Sequence, residues 1–241
     1  MEPIGVRVGT AGWTLARTDE GVGGEGSHLE RYARLLSCVE INSSFYRPHR
    51  PATYARWAAS VPAGFRFSLK IPKEITHARR LADAGDVLAR FLDESAALAE
   101  KRAVLLVQLP PSLAYDAAVV DAFFVELRER YDGQAVCEPR HASWFAPDVD
   151  RALRLLRVAR VAADPAPVPE AALPGGWSGF VYLRLHGSPR TYYSAYEGAA
   201  LEEYARTLRA AAVPSWCIFD NTAFGEATPN AVELQRLVRA P

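Results

Sequence analysis

Alternation of apolar and polar residues organises this chain. In Val181-Tyr182-Leu183-Arg184-Leu185-His186, the valine and leucines fall on one face of a strand and Tyr182, Arg184 and His186 on the other, by the period of two that an extended chain imposes. The pattern recurs elsewhere. Val39 and Ile41 oppose Glu40 and Asn42; Phe65, Phe67, Leu69 and Ile71 oppose Arg66, Ser68 and Lys70; Val107 and Leu109 flank Gln108. A strand covered by helices on both sides is ordinarily apolar throughout. Here charges stand where such a sheet should be driest.

Strand-like runs fall near 5–9, 38–42, 65–71, 104–109, 134–138, 158–163, 180–186 and 215–220. Helical spacings of three and four lie between them, near 28–37, 52–60, 86–101, 116–131, 148–157, 199–212 and 226–239. The sixth connection is the weak one. In Asp164-Pro165-Ala166-Pro167-Val168-Pro169 three prolines remove backbone donors, leaving room for one turn at 170–173. The order predicts an α/β fold comprising a single domain over 1–241: a (β/α)8 TIM-type barrel with a weak or missing sixth helix, with a doubly wound sheet as the alternative. Gly21-Val22-Gly23-Gly24-Glu25-Gly26 is expected to be a flexible loop, either a lid over the site or a plain surface insertion.

Composition narrows the function classes. With 241 residues and 49% hydrophobic content the chain can bury a substantial core. Twenty-eight basic and twenty-eight acidic side chains leave no net charge, hence no global field toward DNA or an anionic membrane, although a local basic patch stays open. The N-terminus carries no signal-peptide pattern and no apolar run reaches membrane-spanning length, so a cytoplasmic location without membrane association is expected. Cys38, Cys137 and Cys217 are widely spaced and odd in number, which fits buried reduced thiols better than a disulfide framework or a zinc site.

In a barrel the C-terminal strand ends build the site, and nearly every one here is polar. Glu40 and Asn42 end the second strand, Lys70 the third, Gln108 the fourth, Glu138 with Arg140 and His141 the fifth, Asp164 the sixth, Arg184 and His186 the seventh, Asp220 and Asn221 the eighth. Carboxylates beside cations and imidazoles acquire the shifted acidities that proton transfer requires. The expected catalytic set is Glu40, Glu138, His186, Lys70 and Asp220, with Glu138 the first candidate for general acid or base and Glu40 its partner, as in glycoside hydrolysis. Arg184, Arg140, Gln108, Asn42 and Asn221 are expected to hold substrate, with Trp13, Tyr46, His77, His141 and Trp144 around the rim. The bland alternative is a structural network, since buried charges persist when paired.

Metal dependence stays open. Glu40, Glu138, Asp164, Asp220, His141 and His186 supply ligand atoms for a divalent ion, but no local metal signature is present and Lys70, Arg140 and Arg184 would repel a cation. Walker and dinucleotide loops are absent, so no nucleotide cofactor is expected.

Seven segments together carry a resemblance. Gly9-Thr10-Ala11-Gly12-Trp13, Val39-Glu40-Ile41-Asn42-Ser43-Ser44-Phe45-Tyr46-Arg47, Ile75-Thr76-His77, Gln108-Leu109-Pro110-Pro111-Ser112, Glu138-Pro139-Arg140-His141-Ala142-Ser143-Trp144-Phe145, Tyr182-Leu183-Arg184-Leu185-His186-Gly187 and Phe219-Asp220-Asn221 resemble, in order, the signatures of the YecE-like family, domain of unknown function 72. The resemblance implies a TIM-type barrel and no particular activity. Two departures stand out: the glycine-rich loop 21–26 replaces an aromatic-rich segment, and Asp220-Asn221 replaces a pair of asparagines. Three function classes follow: an enzyme (hydrolase, lyase or isomerase) acting on a small polar, sugar-like or phosphorylated substrate; a nucleic-acid-processing barrel of endonuclease type, which neutral charge disfavours; and a non-catalytic ligand-binding protein. Oligomeric state is left open.

Overall fold

The computed structural model describes residues 5–15 and 24–240. Among these, ten strands form: β1 (Val6–Thr10), β2 (Cys38–Ile41), β3 (Arg66–Lys70), β4 (Arg102–Gln108), β5 (Gln134–Glu138), β6 (Val158–Arg160), β7 (Ala162–Asp164), β8 (Gly175–Gly176), β9 (Val181–Leu185) and β10 (Ser215–Phe219). They make two sheets, ordered β1-β10-β9-β7 and β2-β3-β4-β5-β6-β8, parallel throughout except for the β6–β8 pair. The chain is therefore of α/β class with parallel sheets.

The expected strand at 158–163 is interrupted at Val161. The Val161 amide still bonds to Cys137 in β5, yet the next residues pair with β9, so the chain passes from one sheet to the other at this point. On the opposite flank Ala11 bridges to Glu40, and the Gly12 amide donates to the Glu40 carbonyl at 2.8 Å.

Eight α-helices accompany the strands among the described residues: α1 (His28–Tyr32), α2 (Ser43–Tyr46), α3 (Pro51–Ala59), α4 (Gly85–Ser95), α5 (Ala117–Arg130), α6 (Pro147–Leu155), α7 (Gly198–Ala210) and α8 (Ala227–Arg239). Their starts are written locally. Ser27 and Glu30 form a reciprocal capping box on α1, Asp116 caps α5, and prolines open α3 and α6 where a missing amide costs nothing. Two helices are shorter than their periodicity suggests: α1 frays into turns after Tyr32, and the stretch after α4 kinks at Ala99, whose φ of 51° lies in the left-handed region. The sixth connection holds only a 3-10 turn, Pro169–Ala172, and the short β8. Of the glycine-rich loop, residues 21–23 lie outside the described residues.

The alternation along the strands now has a physical account. One set of faces (Val39, Ile41, Phe67, Leu69, Leu105, Val107, Leu183, Leu185, Phe219) packs on helical residues such as Leu88, Phe91, Phe124, Leu153, Leu208 and Leu234. The other set forms a separate inner cluster drawn from both sheets: Cys38, Val104, Leu106, Val136, Ala159, Val161, Tyr182, Trp216 and Ile218. Burying each large apolar side chain contributes about 1.5–3 kcal/mol. Two residues further along the same faces come Glu40, Gln108, Glu138, Arg184 and Asp220, so the charged row sits on an apolar floor. The three cysteines are free and buried, and burial pushes their thiol pKa values up.

Candidate functional site

Arg184 is the hub of that row. Wholly buried, it donates from Nε and Nη2 to the Glu40 carboxylate at 3.1 and 2.6 Å, from Nη1 to Glu138 Oε2 at 2.6 Å, and from Nη2 to Asp220 Oδ2 at 3.0 Å. Tyr182, one strand-period below, donates its hydroxyl to Glu40 Oε2 at 2.9 Å and lies 2.8 Å from Ser68 Oγ. Both Glu40 oxygens are thus occupied, with the carboxyl group shut off from solvent.

His186 continues the row from β9. Its Nε2 is 3.0 Å from Glu138 Oε1 and its Nδ1 3.1 Å from Asp220 Oδ2, an arrangement in which a doubly protonated ring donates to two carboxylates. Burial alone would lower its pKa, but the Glu138 charge and the hydrogen bonds to Asp220 and Glu138 outweigh burial and the repulsion of Arg184, raising it. Glu138 responds in the opposite sense. Burial would raise its pKa, yet Arg184, His186 and Arg140 hold it well below the carboxylate range; Asp220 is likewise lowered against burial by Arg184 and His186. Arg140 reaches Glu138 Oε1 with Nη2 at 3.0 Å and keeps a quarter of its side chain exposed.

Lys70 is different. Only 9% exposed at the end of β3, it forms no ion pair among the described residues; its Nζ stands 4.0 Å from the centre of the Phe45 ring. Burial first and Arg184 second lower its pKa to about 8, against the pull of Glu40, Glu138 and Asp220. Three carboxylates therefore face Arg184, Arg140, a charged His186 and Lys70, and the surplus cation is the lysine. His77 packs edge-on against the same Phe45 ring at 5.0 Å, and its pKa is lowered by burial, Lys70, Lys73 and Arg140.

A cavity of about 280 Å³ opens onto this cluster, with Glu138, Arg140, His186 and Thr191 as its polar lining and Pro111, Pro139, Pro165 and Pro167 as its walls. Hollows of about 290 and 450 Å³ lie elsewhere, and neither is lined by any residue of the Arg184 cluster.

The family model described as "Protein of unknown function DUF72" matches residues 7–241. The chain belongs to the DUF72 family. It is 30% identical over 145 residues to the UPF0759 protein YecE of Escherichia coli K12; the match takes in 58% of this chain and about half, 53%, of that relative's length. Among solved structures it is similar to a DUF72 family protein of Enterococcus faecalis V583, with a TM-score of 0.81 and 21% identity over 98% of this chain and 96% of that one. A DUF72 family protein of Thermotoga maritima MSB8 superposes with a TM-score of 0.79 and 21% identity over 98% and 100% of the two chains. These likenesses concern the fold.

Within this DUF72 chain, Glu40, Lys70, Glu138, Arg184, His186 and Asp220 are brought together as expected from their strand faces, with Arg140 beside them. Other candidates are used elsewhere. Trp144 is fully buried, donates Nε1 to the Leu113 carbonyl at 2.8 Å and packs on Tyr115, lining the hollow of about 450 Å³ and not the cavity at Glu138. His141 caps its own 3-10 turn through the Ser143 amide. Asn221 is buried and ties down the loop after β9, donating to Ser194 O and Asn230 Oδ1 at 3.0 Å. Asp164 accepts from Tyr196 Oη at 2.7 Å. Trp13 stacks edge-on against Trp57, Tyr46 is 76% exposed, Asn42 precedes α2 with its Oδ1 buried and unpartnered, and Gln108 donates to the Leu109 carbonyl. Of the six carboxylates and imidazoles considered as metal ligands, Glu40, Glu138, His186 and Asp220 meet around the Arg184 guanidinium, and among the described residues no three His, Cys, Asp or Glu side chains form a metal-holding group.

Tyr182 and Ser68 were missed as members of the site, although their period-two relation to Arg184 and Lys70 places them on the same faces. Tyr192, beside His186, was missed for a different reason: no sequence pattern points to a residue in an irregular loop.

Proposed function

We propose that this chain is a TIM-type barrel enzyme of lyase, isomerase or hydrolase class that acts on a small anionic, sugar-like or phosphorylated substrate at the cavity beside Glu138, Arg140 and His186. Supporting the barrel reading are the strand transfer at Val161, the Ala11–Glu40 bridge and the inner cluster drawn from both sheets. Lys70 carries the functional reading. The carboxylates of the cluster are already neutralised by arginine and histidine, while Lys70 is a desolvated ammonium with no anion of its own, so a phosphate or carboxylate of a ligand is the missing partner. Arg140, with its exposed edge, is the cation that lines the cavity itself beside Glu138 and His186. The cavity-lining His186–Glu138 pair is the proton-transfer group: the His186 Nε2 proton is held by Glu138 Oε1 at 3.0 Å and reaches the ligand by way of that carboxylate, while Asp220 stays ionised beside Nδ1. Glu40 and Arg184, closed off from the cavity, hold the geometry instead of reacting.

Calorimetric titration with inorganic phosphate and a panel of sugar phosphates tests this reading. Saturable binding in the wild type that is lost in Lys70→Met supports it. No binding at millimolar ligand, or equal binding in Lys70→Met, removes it. Turnover of a bound ligand that disappears in His186→Asn separates the enzyme from a binding protein, for which every carboxylate's engagement in the resting cluster is the supporting observation.

A further inference from the structure

The loop after β9 holds an aromatic residue in a conformation that aromatic residues avoid. Tyr192 has φ +72°, in the left-handed region where a bulky side chain is strained and glycine is the usual occupant. Such strain persists only where the surroundings over-determine it. Here they do. The Tyr192 amide donates to the His186 carbonyl and its own carbonyl accepts from Ala223 at 3.0 Å. The loop is pinned on both sides: the Gly187 amide donates to Tyr196 Oη at 2.9 Å, Asn221 donates to Ser194 O, and Asn230 donates to the Tyr196 carbonyl at 3.0 Å.

The anchoring fixes the ring beside His186. The Tyr192 ring stands perpendicular to that of His186 with centroids 5.9 Å apart, and the preceding Thr191 lines the cavity with Arg140 and His186. Yet the side chain remains 40% exposed and its hydroxyl has no partner among the described residues, so the phenolic donor is free on the solvent side of His186. Asn221 and Asn230, both buried, fix the loop through their side-chain amides.

We propose that Tyr192 is a ligand-contacting residue, closing the Arg140–His186 side of the cavity and donating its phenolic hydrogen to the anionic group held there. This rests on the anion-site reading above. A hydrogen bond from a phenol to a charged oxygen corresponds to roughly a tenfold change in affinity.

The test is phosphate titration of the full chain as wild type, Tyr192→Phe, Tyr192→Gly and Lys70→Met, with melting temperatures measured alongside. Expected are an about tenfold weaker dissociation constant in Tyr192→Phe, a comparable or larger loss in Tyr192→Gly, and a melting temperature of Tyr192→Gly equal to or above wild type because the strain is relieved. Wild-type affinity in both Tyr192 variants, with binding lost in Lys70→Met, overturns the role of Tyr192 and leaves the site standing. A wild type that binds no phosphate overturns both.

Discussion

Arg184 and Glu40, 144 residues apart in sequence, meet as a fork-on-fork pair with both side chains wholly excluded from water. The same guanidinium also neutralises Glu138 and Asp220. A buried ion pair is weak evidence for net stability, because desolvation opposes attraction, but removing one member strands the others. Arg184→Met is therefore expected to destabilise the protein by about 3–5 kcal/mol or to prevent folding, and Arg184→Lys to recover only part of that, since an ammonium cannot reproduce the planar fork. Urea unfolding of the two variants checks this; a loss under about 1 kcal/mol would show that the cluster rearranges freely.

His186 gives stability a definite pH signature. Its folded pKa is raised, so its contribution is fully present below the unfolded value of about 6.5 and is lost as pH climbs through the folded value. Glu138 and Asp220, whose folded pKa values are lowered, contribute above the unfolded carboxylate value of about 4 and lose that contribution as pH falls. Unfolding free energy should rise from strongly acidic pH and then decline as pH climbs from about 6.5 through the folded His186 value, with that decline flattened in His186→Gln. A constant offset between wild type and variant from about pH 5 to about pH 9 would contradict the raised value.

Lys70 predicts a trade between stability and binding. Because its folded pKa is lowered to about 8, the unfolded chain binds more protons between that value and about 10.4, and Lys70 costs stability while charged. Lys70→Met is expected to raise stability by about 1–3 kcal/mol at neutral pH while abolishing phosphate binding. A Lys70→Met protein that unfolds more easily would mean the ammonium has a partner it lacks in the resting structure.

Tyr182→Phe removes the hydroxyl between Glu40 and Ser68, yet Glu40 Oε2 keeps its bond from Arg184 Nε. The expected cost is about 1–2 kcal/mol with ligand affinity unchanged, since Tyr182 lies on the apolar floor below the cavity. A change in affinity without a change in stability would place the phenol in the binding machinery.

Trp144→Phe separates packing from recognition. Loss of the Nε1 bond to Leu113 leaves a buried carbonyl unpaired, for about 1–3 kcal/mol, without affecting phosphate affinity. Weaker phosphate binding in this variant would make Trp144 a ligand contact.

How far the site could be read in advance differs from residue to residue. Glu40, Lys70, Glu138, Arg184, His186 and Asp220 were legible together because strand periodicity assigns a face without any knowledge of neighbours. Ser68 and Tyr182 carried the same mark and were passed over because a hydroxyl on a strand has a common structural use. His141 and Trp144 follow a polar strand end, and whether the chain there turns toward the cavity or the core depends on a 3-10 turn capped two residues later. Local pattern does not encode that choice. Tyr192 and Asn221 owe their positions to backbone bonds among the loops after β9 and β10, contacts without periodicity of their own.

By itself, the sequence determined the α/β class, the weak sixth connection and the polar row on one set of strand faces, because backbone geometry fixes the period and proline fixes the break. The tertiary structure alone decided which charges cancel and which remains. Coulomb attraction and desolvation depend on distances between Glu40, Glu138, Arg184, His186 and Asp220, residues that meet only after the strands assemble, and those distances leave Lys70 as the cation without a carboxylate.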